Sequence, residues 1–434
     1  MSQDTNTIKP VYVGLIGLGT VGGGVVRILQ QHHDNFLRDQ GVDIRLKACA
    51  SLVEDEAREL GILDIYTPDG NTIINDPEID IVIELVGGTG IAKHFVFSAV
   101  EAGKHVVTAN KAVMATSGHD LLALAGEKGL DVAFETSVGG GIPIIGALRN
   151  SLIGNRIERV IGIVNGTTNY MLTRMAEDGL DYDTALKEAQ DKGFAEADPT
   201  ADVSGADAAA KIAILTTLAF NTEVVLDQVP TEGITALSPL DLAFADGAGY
   251  VIKLLGIANR TPEGIDMRVH PTMLPKSHPL ASVNGEFNAI YVVGDAVGET
   301  MFYGAGAGSG PAASAVVGDL IEVAQRITYG VTRPYIRFGT EQLPLKPLSD
   351  VVCRYYLRLP VPDRAGILAK TAQVFADHGV SIKSMVQQDA EDGIAQLVYV
   401  THHTRESDLQ ATLRGIEQAG VLEGAPVLIR VETP

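Results

Sequence analysis

Hydrophobic positions in the first part of the chain fall into short apolar runs separated by segments of helical periodicity. Residues 11–16 read VYVGLI, and later runs are IDIVIELVGG at 79–88 and HVVTANK at 105–111. Apolar runs of this length, connected by amphipathic segments, are typical of buried parallel strands joined by helices. The pattern predicts an α/β fold here, with a parallel sheet whose carboxyl ends face a ligand.

A glycine-rich turn directly follows the first predicted strand and leads into a helix predicted to extend to about Leu37. The turn reads Gly17-Leu18-Gly19-Thr20-Val21-Gly22, which has G-x-G-x-x-G spacing. Such glycines let the backbone approach a pyrophosphate that rests on the helix amino terminus. Glycine turns also serve plain helix–sheet packing, but the position after the first strand favours a dinucleotide.

The second predicted strand, 44–50, ends where a dinucleotide-binding fold recognises the adenosine ribose. An NAD site usually has Asp or Glu there, and an NADP site has Arg or Lys nearby. This chain has Ser51 at the strand end, with Glu54, Asp55 and Arg58 further on. Neither rule is met, so the choice between NAD and NADP stays open.

Residues 193–218 contain an apolar helix that is predicted to start near Ser204 or Gly205. Asp207 and Lys211 lie four residues apart on one face of it. Both flanks of this helix are apolar, so we expect it to be buried. A pair at this spacing is usually an exposed ion pair of little consequence. Buried charges are costly unless they are paired and used, so the apolar surroundings favour a catalytic site.

Polar residues upstream of this helix are further candidates for ligand binding. Glu196, Asp198 and Asp202 crowd a proline-containing loop. The strand-like segment 156–166 ends at Thr167-Thr168-Asn169, which we expect to cap the next helix, near Tyr170. The free N–H groups of such a helix start are a natural seat for a carboxylate.

Three other features have two interpretations each. Lys111, directly after a strand end, is either a solvated charge or a group that holds a substrate carboxylate or carbonyl oxygen. Glu135 and the glycine-rich turn at 136–143 either ligate a hard cation or form a crossover between domains, and the sequence alone favours the crossover. The glycine-rich segment 304–311, which opens a helix to about Thr328, either returns to the cofactor or forms a packing joint.

The hydrophobic pattern changes twice in the second half of the chain. Residues 222–304 mix short helices with strands such as MRVHPTML and FNAIYVVG, as expected for an antiparallel sheet. After a proline-containing linker at 341–350, strands and helices alternate as β-α-β-β-α-β, the order of a ferredoxin-like module. His402 and His403, at a strand end of this module, are predicted to be surface residues.

Composition and charge narrow the class of protein. A chain of 434 residues suggests two or three domains. No apolar run reaches the roughly 20 residues that cross a bilayer, and the polar amino-terminal residues lack a signal-peptide pattern. The only two cysteines, Cys49 and Cys353, lie in separate predicted domains, which indicates a reducing cytoplasm. The net charge of −21 argues against nucleic-acid binding.

Taken with these motifs, the chain resembles the homoserine dehydrogenase family, in the bacterial form with a C-terminal ACT domain. The resemblance covers essentially the whole length, and its last block is the most specific because the glycine, the acid, Asp-Pro and the Asp–Lys pair all fall at the family's spacing. The blocks are GLIGLGTVGGG (14–24), VTANK (107–111), FETSVGGGIPI (134–144), VNGTTNYML (164–172) and GFAEADPTADVSGADAAAK (193–211).

The resemblance implies a Rossmann-like dinucleotide-binding domain at 1–135, to which 305–340 return. It implies an α+β substrate-binding and dimerisation domain at 136–304. The linker 341–350 then leads to a ferredoxin-like ACT domain at 351–434, a type of domain that binds small amino acids at subunit interfaces.

The activity implied is the reversible reduction of L-aspartate 4-semialdehyde to L-homoserine with NADP or NAD, in threonine and methionine biosynthesis. Ser51 stands where many members have a basic residue for the 2′-phosphate, which makes NAD or dual use credible. The resemblance also implies a homodimer or homotetramer, and we expect L-threonine to be the effector of the ACT domain. The roles implied are cofactor binding for Gly17, Gly19, Thr20, Val21, Gly22, Lys111, Gly193 and Gly308, substrate binding for Glu196 and Asp207, proton donation for Lys211, and sodium binding for Glu135, Val138, Gly140 and Ile142.

The residues in the specific block suit this chemistry. Hydride addition turns the aldehyde oxygen into an alkoxide, and Lys211, kept charged by Asp207, stabilises it and delivers a proton. Glu196 holds the substrate ammonium, while the Thr167-Thr168 helix start or Lys111 takes its carboxylate. Two alternatives remain: a dehydrogenase for another small amino-acid carbonyl, and a non-catalytic amino-acid sensor with a Rossmann relic. The intact set of acids and lysine disfavours both.

Overall fold

A computed structural model describes residues 8–331, 339, 341–391 and 393–432, without the side chains of 388–391. The helices are α1 (Thr20–Asn35), α2 (Glu54–Glu59), α3 (Gly70–Asn75), α4 (Ile91–Glu101), α5 (Lys111–Lys128), α6 (Ile144–Gly146), α7 (Gly166–Asp178), α8 (Tyr182–Asp191), α9 (Thr200–Val203), α10 (Ala206–Phe220), α11 (Pro239–Gly247), α12 (Ser309–Tyr329), α13 (Ile367–Asp377) and α14 (Glu406–Gln418). The strands are β1 (Pro10–Ile16), β2 (Asp43–Ala50), β3 (Tyr66–Thr67), β4 (Ile81–Glu84), β5 (His105–Thr108), β6 (Val132–Ala133), β7 (Ile157–Ile163), β8 (Tyr250–Thr261), β9 (Gly264–Pro275), β10 (Phe287–Gly294), β11 (Gly298–Ala305), β12 (Leu345–Lys346), β13 (Val352–Pro362), β14 (Ile382–Glu391), β15 (Ile394–Thr401), β16 (Thr404–Arg405) and β17 (Val427–Val431).

The chain divides into two compact units, and the division cuts both β7 and α10. The first unit comprises Met1–Val160, Ala213–Gln228 and Asn288–Gln342. The second comprises Ile161–Ile212, Val229–Phe287 and Leu343–Pro434. Of the segment 305–340 that is predicted to return to the amino-terminal domain, residues 332–338 and 340 lie outside the described residues.

A six-stranded parallel sheet forms the centre of the first unit. Its strand order is β3-β2-β1-β4-β5-β6, which is the doubly wound order of dinucleotide-binding folds. The middle strands are buried on both faces, so they appear in the sequence as continuous apolar runs. The predicted Rossmann-like sheet is therefore confirmed. The helix expected to reach Leu37 ends as α1 at Asn35 and continues as a wider π-helical turn, Phe36–Gln40.

Helix α12 packs against α1 and places late residues beside the glycine-rich turn. Val316, Val317 and Leu320 of α12 share one buried cluster with Val25 and Val26 of α1. The crossing is close at Gly24, where a Cβ would stand 2.8 Å from the Ala313 Cβ and 2.9 Å from the Ser309 oxygens. The Ser309 hydroxyl donates to the Thr20 carbonyl at 2.7 Å, so the amino end of α12 reaches the dinucleotide-binding turn.

The second unit is built on a largely antiparallel sheet. Strands β8 and β9 pair antiparallel along twelve residues, from Tyr250↔Pro275 to Thr261↔Gly264. The sequence predicted β9 but not β8. In the C-terminal region the order β17-β13-β15-β14 is antiparallel, and α13 and α14 contribute Phe375, Leu409 and Ile416 to its buried cluster. The ferredoxin-like prediction is confirmed.

The C-terminal module continues the sheet that contains β8 and β9. Strand β17 pairs in parallel with β9, with Arg430 opposite Thr272 and Val431 opposite Met273. This long-range pairing joins the two parts of the second unit through backbone hydrogen bonds. His402 and His403 are exposed, as the sequence predicted. Among the described helices, none has the length and apolar character that crossing a membrane requires.

The α1–α12 crossing predicts opposite effects for two glycine-to-alanine changes. Gly24→Ala places a methyl group against Ala313 and Ser309, so we expect it to destabilise the first unit by about 1–3 kcal/mol. Gly318→Ala, on the exposed face of α12 with nothing within 4 Å of the new Cβ, should stabilise the protein by about 0.5–1 kcal/mol. Thermal unfolding of both variants measures this. Equal shifts of the two midpoints would contradict the close crossing.

Candidate active site

The glycine-rich turn of the first unit is tight on its inner side and open at its outer side. Gly17 has φ +101°, and a Cβ there would lie 2.8 Å from the Leu85 carbonyl carbon. A Cβ on Gly22 would lie 2.0 Å from the Gly17 oxygen, whereas one on Gly19 would have nothing within 4 Å. Helix α1 begins at Thr20 without a capping side chain. The amides of its first turn can therefore receive an anion, as G-x-G-x-x-G requires.

Buried polar groups hold the carboxyl ends of β4 and β5. Glu84 is fully buried, and its Oε1 accepts from the amides of Val86 and Gly87 at 2.7 and 3.1 Å. Its Oε2 accepts from the Thr108 hydroxyl at 2.8 Å. The carboxylate thus fixes the loop after β4 against β5. Sequence reasoning missed it, although an acid ending an otherwise apolar strand was a usable signal.

Lys111 is the first residue of α5 and is exposed. Asn110 precedes it as the N-cap, accepting from the Val113 amide at 3.1 Å and donating to the Gly88 carbonyl at 2.8 Å. These contacts tie the start of α5 to the loop after β4. Lys111 is therefore presented from an ordered helix start at the carboxyl edge of the parallel sheet.

Glu135, the predicted cation ligand, is anchored to the amino end of α6. Its two carboxylate oxygens accept from the amides of Ile145 and Gly146, each at 2.7 Å. Its own amide donates to Asp319 Oδ2 at 2.8 Å. Burial raises the pKa of Glu135, against the opposing effect of the amide donors, and burial raises the pKa of Asp319 to about 7.

The further oxygen ligands that are predicted near Glu135 come from the backbone. No group of three His, Cys, Asp or Glu side chains suited to a metal occurs within the described ranges. The carbonyls of Val138, Gly140 and Ile142 are the predicted partners, in a turn where Gly139 and Gly140 have positive φ. A Cβ on Gly140 would lie 2.5 Å from the Gly306 oxygen, so only glycine fits there.

The second unit buries the Asp207–Lys211 pair in the first half of α10. Asp207 is 6% and Lys211 9% exposed. The Lys211 ammonium donates to Asp207 Oδ2 at 2.7 Å and to the Val164 carbonyl at 2.6 Å. Helix α10 begins at Ala206, directly after Gly205, as the sequence predicted. Both charges are therefore largely withdrawn from water, and the ammonium is held by the carboxylate and by a backbone carbonyl.

Asn165 connects this pair to the acidic loop. Its Nδ2 donates to Asp207 Oδ2 at 2.9 Å and to Asp202 Oδ1 at 2.7 Å. Its Oδ1 accepts from the Thr168 amide at 2.8 Å and from the Thr168 hydroxyl at 2.8 Å. One amide side chain thus joins two carboxylates and caps α7.

The expected cap at Thr167-Thr168-Asn169 is wrong, because α7 already begins at Gly166 with Asn165 as its N-cap. Asn165 has an extended backbone, which suits the N-cap, and its short amide reaches the third residue on. The hydroxyl of Thr167 instead donates to the Phe194 carbonyl at 2.6 Å, which ties α7 to the loop that follows α8. Asn followed by Gly-Thr-Thr was a readable capping signal.

The residues of the acidic loop and the turn before it have different environments. Gly193 has φ +76° in the turn after α8, and Glu196 is exposed. Asp198 accepts from the amide and hydroxyl of Thr200 at 3.1 and 2.6 Å, so it serves the start of α9. Asp202, through Asn165, is the member of the loop that joins the buried network, a role that sequence reasoning did not assign.

Comparison with known proteins agrees with this arrangement. Family models match at 143–321 (homoserine dehydrogenase), 17–135 (homoserine dehydrogenase, NAD binding domain) and 355–420 (ACT domain). A homoserine dehydrogenase of Bacillus subtilis is 44% identical over 428 residues, covering 98% of this chain and 99% of that protein.

Two solved structures are informative. The crystal structure of a homoserine dehydrogenase from Thiobacillus denitrificans has a TM-score of 0.92 at 44% identity, with 98% of each chain covered. A hyperthermophilic archaeal homoserine dehydrogenase mutant in complex with NADPH has a TM-score of 0.63 at 26% identity, covering 73% of this chain and 98% of that one. Because relatives and family models agree along nearly the whole sequence, the chain belongs to the homoserine dehydrogenase family and is an NAD(P)-dependent oxidoreductase.

Proposed function

We propose that this chain reduces L-aspartate 4-semialdehyde reversibly to L-homoserine, with Lys211 as the proton donor and Asp207 as its partner. The observation that carries the proposal is the buried contact between the two groups, 2.7 Å in length. An ion pair of this burial is costly unless its charge is used or fully compensated.

The reaction balances with the groups present. The nicotinamide cofactor supplies the hydride to the aldehyde carbon, and the carbonyl oxygen takes the resulting negative charge. Lys211 stabilises that alkoxide and transfers one proton to it, after which solvent restores the ammonium. In the reverse direction the neutral amine accepts the hydroxyl proton of homoserine. Asp207 Oδ2 and the Val164 carbonyl both accept from Lys211 and favour its charged form before each reduction.

The amino-acid end of the substrate carries both charges, and the chain supplies a candidate partner for each. Exposed Glu196 is the proposed partner of the substrate ammonium. The start of α7 at Thr167 and Thr168, or Lys111, is the proposed seat of the α-carboxylate. The Thr168 amide already donates to Asn165, so a carboxylate at α7 would use the earlier amides of that helix. Gly193 and Gly308 remain proposed cofactor contacts.

For the cofactor we propose use of both NADH and NADPH, without a preference for NADPH. Ser51, at the end of β2, is bonded to the Glu56 carboxylate. Arg58, the next basic residue after Ser51 in the sequence, pairs with Glu54 at 2.7 Å and with Asp55 at 3.5 Å on its own helix. A 2′-phosphate near Ser51 would meet the carboxylates of Glu54, Asp55 and Glu56. It would also meet Arg58, which already pairs with Glu54 and Asp55.

Three further assignments belong to the same proposal. Sodium would be bound by the Glu135 carboxylate and the carbonyls of Val138, Gly140 and Ile142, a set of oxygen ligands that suits a hard cation. The protein would act as a homodimer or homotetramer. It would work in the reducing cytoplasm, in agreement with two buried, unbridged cysteines at Cys49 and Cys353.

L-threonine is the proposed effector of the ACT domain. A pocket of about 510 Å³, open to solvent, is lined by Asp363, Arg364, Gln387 and the residues around Gly366. The pocket offers a carboxylate, a guanidinium and an amide, the groups that complement an amino-acid zwitterion. Gln387 donates to Asp363 at 3.2 Å across it.

Removing the charge of the buried pair should abolish most turnover. Lys211→Met and Asp207→Leu should each lower kcat by about 100-fold or more, the usual contribution of one acid–base group. The matched control is Lys187→Met, which breaks the exposed Lys187–Asp191 pair at the same spacing on α8 and should leave kcat unchanged. Oxidation of NAD(P)H with aspartate semialdehyde measures this. Unchanged kcat in both Lys211→Met and Asp207→Leu would exclude the pair from the chemistry. If the wild type binds threonine but shows no turnover, the protein is the non-catalytic amino-acid sensor instead.

A positive charge at the end of β2 should change the cofactor preference. Ser51→Arg should raise kcat/KM for NADPH relative to NADH by about 10-fold, because one good phosphate contact contributes about 1.4 kcal/mol. Ser277→Arg, an exposed serine after β9, adds the same charge elsewhere and should leave the ratio unchanged. A wild type that already strongly prefers NADPH would contradict the proposal.

The effector proposal is best tested without truncation, because removing the ACT domain would expose the edge of β9 that β17 covers. Asp363→Ala should raise the threonine concentration for half-inhibition by about 10-fold and leave uninhibited kcat unchanged. Asp377→Ala, at the end of α13, is the control, since that carboxylate accepts from Gln373 outside the pocket. Threonine sensitivity retained by Asp363→Ala would exclude this pocket.

A further inference from the structure

Two arginines of the ACT domain, the buried Arg430 and the largely buried Arg358, bind carboxylates elsewhere in the second unit. Arg430 of β17 is 2% exposed and holds Glu232 through two bonds of 2.9 and 2.8 Å. It also holds Glu406, the first residue of α14, through two bonds of 2.8 Å each. Arg358 of β13 holds Asp241 at 2.7 and 3.1 Å. The established activity uses none of these groups.

The segment that carries Glu232 lies along β9. The Val269 amide donates to the Pro230 carbonyl at 2.8 Å, and the Glu232 amide donates to the Val269 carbonyl at 2.8 Å. Thr231 and Val269 form a parallel bridge. Three residues further along β9, Thr272 stands opposite Arg430 itself. The Glu232 backbone and its partner Arg430 are therefore both held in fixed positions along β9.

The same segment touches the turn that starts α10. The Ile234 amide donates to the Val203 carbonyl at 2.9 Å. A Cβ on Gly233 would lie 2.0 Å from that carbonyl oxygen, and a Cβ on Gly205 would lie 3.2 Å from the Glu232 carbonyl oxygen. Backbone meets backbone at Gly233, whereas at Gly205 the Thr231 and Val269 side chains also lie close, 3.0 and 3.3 Å from such a Cβ.

The turn at 203–205 sets the position of the catalytic pair. Gly205 has φ +86°, and its carbonyl accepts the first helical hydrogen bond of α10, from Ala209 at 2.9 Å. Asp207 lies in that first turn, and Lys211 one turn later. A displacement of the Glu232 segment would therefore move the start of α10 and the contacts of Asp207 with Asn165.

We infer that Glu232, clamped by Arg430, is a positioning residue for the Asp207–Lys211 pair and the point at which the ACT domain acts on the active site. The inference rests on the proposed roles of Asp207 and Lys211. The role is assigned to Glu232 and not to Asp241, because Asp241 caps the first turn of α11, where Ser238 and Tyr356 also donate to it.

Glu232→Gln is the test variant, since its fold should be preserved. Arg430 keeps its two bonds to Glu406, and the Glu232 side chain is 44% exposed. We expect kcat to fall about 3- to 10-fold, the range of couplings carried through packed contacts, with KM for NADH unchanged. Because the acid–base pair itself is displaced, the pH profile of kcat should also shift. Arg430→Lys, which keeps charge but loses the bidentate geometry, should change both quantities in the same direction.

Arg358→Gln is the matched control, because it breaks the other clamp between the same two regions. It should lower the thermal midpoint and leave the pH profile of kcat unchanged. L-threonine supplies the second readout: Glu232→Gln should bind it calorimetrically as the wild type does, yet be inhibited less at saturation.

Three results would overturn the inference. The first is that Glu232→Gln and Arg430→Lys both keep the wild-type pH profile of kcat and the wild-type inhibition by threonine. The second is that Arg358→Gln shifts the pH profile of kcat as much as Glu232→Gln does, and the third is that the loss of kcat in Glu232→Gln equals its loss of folded protein. Failure of the proposed chemistry is seen separately, as undiminished turnover in Lys211→Met.

Discussion

The structure of the second unit depends on how one buried ammonium group is compensated. Lys211 is removed from water and has a carboxylate and a backbone carbonyl as its acceptors. Asp207 in turn accepts from Asn165, which also holds Asp202. Breaking such a pair by removing one member leaves a buried charge, which costs about 3–5 kcal/mol. The neighbouring elements must therefore hold this geometry closely: α7 through its cap, α9 through Asp202, and α10 through its first turn.

Local patterns carried most of what could be predicted from sequence. The parallel strands, the glycine-rich turn and the start of α10 are each specified by residues close together in the chain, so periodicity and spacing were sufficient. The same holds for the C-terminal module, whose predicted β-α-β-β-α-β order is observed with α13 and α14 as its two helices.

Contacts between distant segments were not predictable in the same way. β8 reads YVIKLLGIANRT, a mostly apolar run followed by polar residues, and its partner becomes evident only from its twelve pairs with β9. The bridging role of Asn165 depends on two carboxylates 37 and 42 residues away. Glu84, similarly, meets Thr108 across two strands, 24 residues apart. A single sequence contains the capping signal of such a residue but not its remote partners.

Strand β9 explains why the ACT domain is more than an appended module. Val269 carries the Glu232 segment and Thr272 faces Arg430, three residues or about 10 Å apart at the rise of a strand. If the ACT domain were attached only through a flexible linker, a ligand-induced change would have to pass through that linker. Here backbone hydrogen bonds and a bidentate ion pair connect the ACT domain directly to β9 and to the Glu232 segment. Gly233 then lets two backbones touch, and close packing around Gly205 continues the contact, so a displacement of one segment is transmitted to the other. Under the proposed function, an ACT domain built into the sheet in this way would act on α10 through strand register, without needing a hinge.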